Sequence, residues 1–231
     1  MRDRFFLTIS ILMLVFVIVG FAPSFYLRPF LLPAEELLPR GPTLPAYLIL
    51  HGVVLTAWYL LACVQPVLIA TGHVRIHRWI GMFGLFLAIC VIAIGAFTQL
   101  LNEFIPPAAN LWSLIGFFAC VAVGFHFRRM PTTHKRLMLF ASITILAPAL
   151  DRFGRLLLGP FMTSDTPFNL VFAFIVQLSL ILSVPIHDLV AERRIDRGTV
   201  WALVLLFVVA PLATGGIIQV GAWGYLIDVV R

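Results

Sequence analysis

Long apolar runs, separated by short basic or proline-rich stretches, dominate the pattern along this chain. Segments 5–26, 45–70, 79–101, 111–127, 137–159, 168–189 and 199–220 each hold roughly 20 residues with few charges, enough to cross a bilayer as a helix. The pattern predicts an all-α, polytopic integral membrane bundle of seven transmembrane helices forming a single domain over residues 1–231. Short connections make consecutive helices antiparallel neighbours. The first run follows Arg2 and Arg4 as a secretory signal does, but its apolar stretch is long for a signal and reads as a membrane helix. Pro66, Pro148, Pro185 and Pro211 fall inside spans, so those helices are expected to kink or unwind locally.

Composition strengthens this reading. Of 231 residues, 61% are hydrophobic and 11% charged. A soluble domain carries about 25% charged residues, so this chain has too little polar surface for water. The net charge of +6 fits loops held at one membrane face better than a nucleic-acid surface. With the N-terminus inside, the inner segments hold Arg2, Arg4, Arg75, Arg78, Arg128, Arg129, Lys135, Arg136, Arg193, Arg194 and Arg197. The outer segments hold only Arg28, Arg40 and Arg231. That asymmetry predicts a cytoplasmic N-terminus and a periplasmic C-terminus. The long connection 27–44, proline-rich and carrying Glu35 and Glu36, is expected on the membrane surface. Cys63, Cys90 and Cys120 lie inside spans without metal-type spacing and read as packing residues.

Ionisable residues at membrane depth mark candidate sites because they are costly there. Asp151 and Arg155 are four apart and can pair along one helical face. Together with Arg152 they form a net-positive group suited to a phosphate or carboxylate. His51, Trp58 and Gln65 recur every seven residues, which keeps them on one face of the second span. His51 lies at about the depth of Asp151, so a pocket lined by His51, Trp58, Gln65, Asp151, Arg152 and Arg155 is the candidate ligand site. Gln99, Gln177 and Gln219 can add hydrogen bonds. Two alternatives stand beside it: interhelical polar glue and arginines reaching to the interface.

The inner side holds His73, His77, His126, His134 and His187, with Asp188 and Glu192 nearby. Imidazoles with carboxylates offer a metal reading, for which His77, His134, His187 and Asp188 are the candidates. No HExxH motif occurs. The outer half has a single histidine, which excludes a bis-histidine haem there and leaves haem or a transition metal as possibilities on the inner side only. The sole lysine, Lys135, is read as a loop residue, which excludes a retinal Schiff base within a helix. The segments around His77-Arg78-Trp79 and His134-Lys135-Arg136 look alike, suggesting duplicated hairpins.

His51-Gly52, Trp58, Gln65, His77-Arg78 with Gly81, His134-Lys135-Arg136-Leu137-Met138, Arg152 and His187-Asp188-Leu189 resemble the motifs of a group of uncharacterised seven-helix bacterial membrane proteins. The resemblance runs from about residue 26 to the C-terminus. It implies a bacterial inner-membrane protein in which His51, Gln65, His77, His134, Arg152 and Asp188 matter most. It implies no activity. Asp196-Arg197-Gly198 departs from the pattern, in which a histidine often follows a basic pair. The leading expectation is a non-catalytic membrane protein that binds a lipophilic or anionic ligand, or an accessory subunit of a membrane complex. The rivals are a haem- or metal-dependent redox protein and a small transporter. The lipid bilayer, other membrane subunits or further copies of the chain are the expected partners.

Overall fold

The computed structural model describes residues 2–31, 44–101, 107–159 and 168–221. Helix α1 (Arg2–Phe21) runs into a π-helical segment, Ala22–Tyr26, and a short α2 (Arg28–Leu31). Then follow α3 (Ala46–Ala70), α4 (Val74–Leu101), α5 (Pro107–His126), α6 (Pro131–Thr144), α7 (Ala147–Leu158) and α8 (Phe168–Glu192). The last span is α9 (Arg197–Val204), a second π segment at Leu205–Val209, and α10 (Ala210–Gln219). Among the described residues there are no strands. Six helices, or helix sequences broken only by a π segment, are long and apolar enough to cross a membrane, and α6 with α7 makes a seventh if taken as one broken span. The chain is therefore a helical, multi-pass membrane bundle. The connection carrying Glu35, Glu36 and Arg40, and the terminal Arg231, lie outside the described residues.

Helix α6 is the centre of the bundle, packing against α1, α3, α5, α8 and α9. Leu137, Phe140, Ala141 and Ile143 are fully enclosed there, beside the buried polar Arg136, Ser142 and Thr144. The outward faces of the other helices carry large apolar side chains such as Phe86, Phe174 and Leu212. This arrangement follows from a lipid solvent, in which apolar residues outside cost nothing and polar groups must find partners inside. Trp58 Nε1 donates to Ser142 Oγ at 3.1 Å and Tyr59 Oη donates to the Ser142 carbonyl at 2.9 Å. These bonds tie α3 to α6.

Two of the four span prolines coincide with local unwinding. Pro148 has no N–H to offer the Thr144 carbonyl, and the path bends by 53° between α6 and α7. Gln177 on α8 fills the gap, its Nε2 donating to the Ile143 carbonyl at 3.0 Å and the Thr144 carbonyl at 3.2 Å. Pro211 stands five residues beyond Leu206, where a π-helical bond would need its N–H. The indole of Trp112 donates to that Leu206 carbonyl instead, at 2.7 Å. Pro66 and Pro185 lie within unbroken α3 and α8.

Candidate functional site

The end of the bundle that carries Arg75, Arg78, Arg128, Arg129, Arg193, Arg194 and Arg197 is here termed the basic end. The helices extend further towards it than the apolar runs alone suggest. Helix α4 begins at Val74 rather than near residue 79, and α6 begins at Pro131 rather than near 137. His77, His134 and Arg136 are consequently helix residues, and α8 continues past Asp188 to Glu192.

The proposed outer group assembles in part. Asp151 Oδ2 pairs with Arg155 Nη2 at 2.7 Å, the expected one-turn ion pair, while Asn169 of α8 donates to Asp151 Oδ1. The Arg155 side chain is 65% exposed, so it reaches outwards rather than into the bundle. Arg152 donates to the Pro148 carbonyl at 3.0 Å and lies over the Phe21 ring, 4.5 Å from its centroid. His51 immediately precedes Gly52 on α3, against which the Phe25 ring of the π segment packs. Its Nδ1 is buried without a hydrogen-bond partner, as is the hydroxyl of Ser24 in the π segment.

The π segment itself seats on α3. The Phe25 ring lies so close to Gly52 that a Cβ there would meet it at 2.5 Å. Tyr26 and Thr56 share a 2.6 Å hydrogen bond, and Thr56 also donates to the Gly52 carbonyl. Phe21, Ser24, His51 and Arg152 thus belong to one region formed by the end of α1, the half of α3 away from the basic end, and α7. Neither Ser24 nor Phe21 was legible as a site residue from sequence, because a π segment leaves no clear signature.

The other two members of the expected stripe serve elsewhere. Trp58 is buried and bonded to Ser142, a tie between helices. Gln65 follows His51 by 14 positions, which places it roughly 21 Å further along α3 at the basic end. Both atoms of its side-chain amide are buried without partners. One face of α3 therefore serves two separate places. Gln177 bridges the α6–α7 break, Gln99 pairs with Asn110, and Gln219 is exposed at the end of α10.

The four candidate metal ligands do not gather into one set. Among the described residues no three histidine, cysteine, aspartate or glutamate side chains converge as a metal-binding group. His187 stacks on Phe5 with ring centroids 4.1 Å apart. Asp188 is fully buried and committed to other partners. Its carboxylate accepts from Arg136 Nε at 2.9 Å and Nη2 at 2.5 Å, from Thr199 Oγ1 at 2.5 Å and from the Asp196 N–H at 3.1 Å. Arg136 was expected among solvated loop bases. It is fully buried instead, with further bonds to Glu192 Oε1 at 2.9 Å and the Thr132 carbonyl at 2.9 Å. Asp196 caps α9 by accepting from the Gly198 N–H at 2.7 Å. His77 and His134 do meet, with ring centroids 6.5 Å apart and planes nearly perpendicular.

No family model, curated protein or solved structure matches this chain. What its fold and composition define is a multi-pass α-helical membrane protein.

Proposed function

We propose that this protein is a non-catalytic membrane protein that binds a lipophilic molecule with an anionic head, held where the end of α1, the outer half of α3 and α7 meet. The observation that carries this reading is the buried, unpartnered Nδ1 of His51, in the region where the Arg152 guanidinium lies over Phe21. A buried polar atom without a partner costs about 1–3 kcal/mol, and a ligand oxygen or hydroxyl removes that cost. Arginine suits the charge, since its planar fork matches carboxylate and phosphate. Asp151 is engaged by Arg155 and Asn169, so it orients α7 against α8. Phe21 and Phe25 supply apolar surface for a chain or ring. Ser24 supplies a second unpartnered polar atom on the same segment.

On this reading the chain sits in a bacterial inner membrane with its basic end in the cytoplasm, which places the site towards the periplasmic leaflet. The charge asymmetry supports that orientation, and the motifs quoted above support membership of the seven-helix group they resemble. Mass spectrometry of lipids and small molecules extracted from the detergent-purified protein tests the proposal. An acidic amphiphile enriched in the wild type and lost from Arg152→Ala and His51→Ala supports it. An extract that is the same for all three proteins contradicts it.

A further inference from the structure

His77 and His134 occupy equivalent places on the second helices of two hairpins, α3–α4 and α5–α6. Their rings stand near each other with planes nearly perpendicular and rest on different backbone supports. His134 Nδ1 lies 2.8 Å from the Gly124 carbonyl. A carbonyl only accepts, so Nδ1 carries the hydrogen and the lone pair of the neutral ring is on Nε2. This is how metal-binding imidazoles are commonly oriented, by a backbone carbonyl on the far nitrogen. The His77 ring rests against the backbone of Gln65, and its Nδ1 is buried without a hydrogen-bond partner.

The separation of the two rings decides what fits between them. A direct N–H···N bond of about 3 Å would bring the centroids to about 5 Å. Two imidazoles in trans positions on one octahedral or square-planar metal ion, each nitrogen about 2 Å from it, have centroids about 6 Å apart, against about 5 Å on a tetrahedral ion. The observed 6.5 Å is too wide for the first and close to the second. Gln65 adds a third donor. Its amide is buried and unpartnered, and its Nε2 lies 3.9 Å from the place a Cβ on Gly81 would occupy, one turn along α4 from His77. Glycine at 81 leaves that side of α4 open.

We propose that His77 and His134, with Gln65 beside them, form a two-imidazole binding site for a transition-metal centre. Neutral nitrogen donors with one amide, set this far apart, suit copper, nickel or iron and disfavour magnesium and calcium, which take oxygen. The centre is either a free divalent ion or the iron of haem, and both use the same two nitrogens. This site is independent of the one near His51, at the other end of α3.

The test is titration of the detergent-purified full-length protein with Co2+, followed by its visible d–d bands, and separately with hemin, followed by its Soret band. His77→Ala and His134→Ala are compared with His126→Ala, which removes an exposed histidine at the same end. Size exclusion and far-UV circular dichroism select the folded variants. Should His134→Ala not fold, His134→Gln and His77→Ala carry the comparison.

Co2+ bands in the wild type and in His126→Ala, lost in the other two, support a free-ion site. A low-spin haem spectrum with the same dependence supports haem as the source. Gln65→Leu is expected to weaken either by about 10–100-fold, as loss of a supporting group does. Neither probe binding, or binding that survives replacement of both His77 and His134, would overturn the proposal.

Discussion

Arg136 and Asp188 face each other across α6 and α8 with both side chains entirely enclosed, joined by bonds of 2.5 and 2.9 Å. The pair also draws in α9, because Asp188 accepts from Thr199 and from the backbone of Asp196. Every strong acceptor site on the carboxylate is thereby used. The consequence is structural: three helices of the basic end are clamped at one point. A charge buried among lipid-facing helices persists only when it is paired in this way.

Breaking the clamp from one side is expected to be costly. Arg136→Met leaves the Asp188 charge without its counter-ion, and Asp188→Leu leaves Arg136 with Glu192 alone at full contact distance. Each is expected to lower stability by about 3–5 kcal/mol, read as a fall in thermal stability in detergent. The double replacement is expected to lose clearly less than the sum of the two. Additive losses would show that the pair does not act as a unit.

Gln177 is expected to be needed where α6 breaks into α7. Gln177→Leu strands the Thr144 carbonyl and removes one donor from the Ile143 carbonyl, which keeps the Leu146 N–H, at a cost of about 1–3 kcal/mol. Hydrogen exchange at residues 143–149 is expected to rise in the variant. Unchanged exchange there would mean that the freed carbonyl finds another donor.

Gly198 lies where α9 approaches α6 closely. A Cβ at this position would meet the Cα of Thr133 at 2.7 Å and its carbonyl oxygen at 2.8 Å. Both are backbone atoms and cannot swing aside. Gly198→Ala is expected to destabilise by about 1–3 kcal/mol through forced separation of the helices, whereas Gly215→Ala, which meets nothing within 4 Å, is expected to be nearly silent. Equal melting temperatures for the two variants would contradict this packing.

The helices were legible in sequence because a bilayer demands long apolar runs, and those runs located each span. Their ends were less legible. Polar first turns such as 131–136 and 74–78 look like loops when only hydropathy is considered, so Arg136 read as a solvated base when it is fully enclosed in the bundle. The pairing of Asp151 with Arg155 followed from spacing alone. The seven-residue spacing of His51, Trp58 and Gln65 puts them on one face of α3, but periodicity says nothing of depth, and the three serve different places. Ser24 and Phe21 escaped notice because a π segment and its partners depend on tertiary contact.

The region around His51 and Arg152 is most directly tested by ligand binding to the intact protein. The measurement is native mass spectrometry of wild type, Arg152→Ala and Arg155→Ala titrated with phosphatidylglycerol, oleate and the zwitterionic phosphatidylcholine. The account predicts preferential binding of the anionic amphiphiles by wild type, a loss of about 10-fold or more in Arg152→Ala, matching removal of a charged hydrogen bond worth about 1.5–3 kcal/mol, and a smaller loss in Arg155→Ala, whose side chain already holds Asp151. Equal binding of phosphatidylcholine, or full anionic binding by Arg152→Ala, would contradict it.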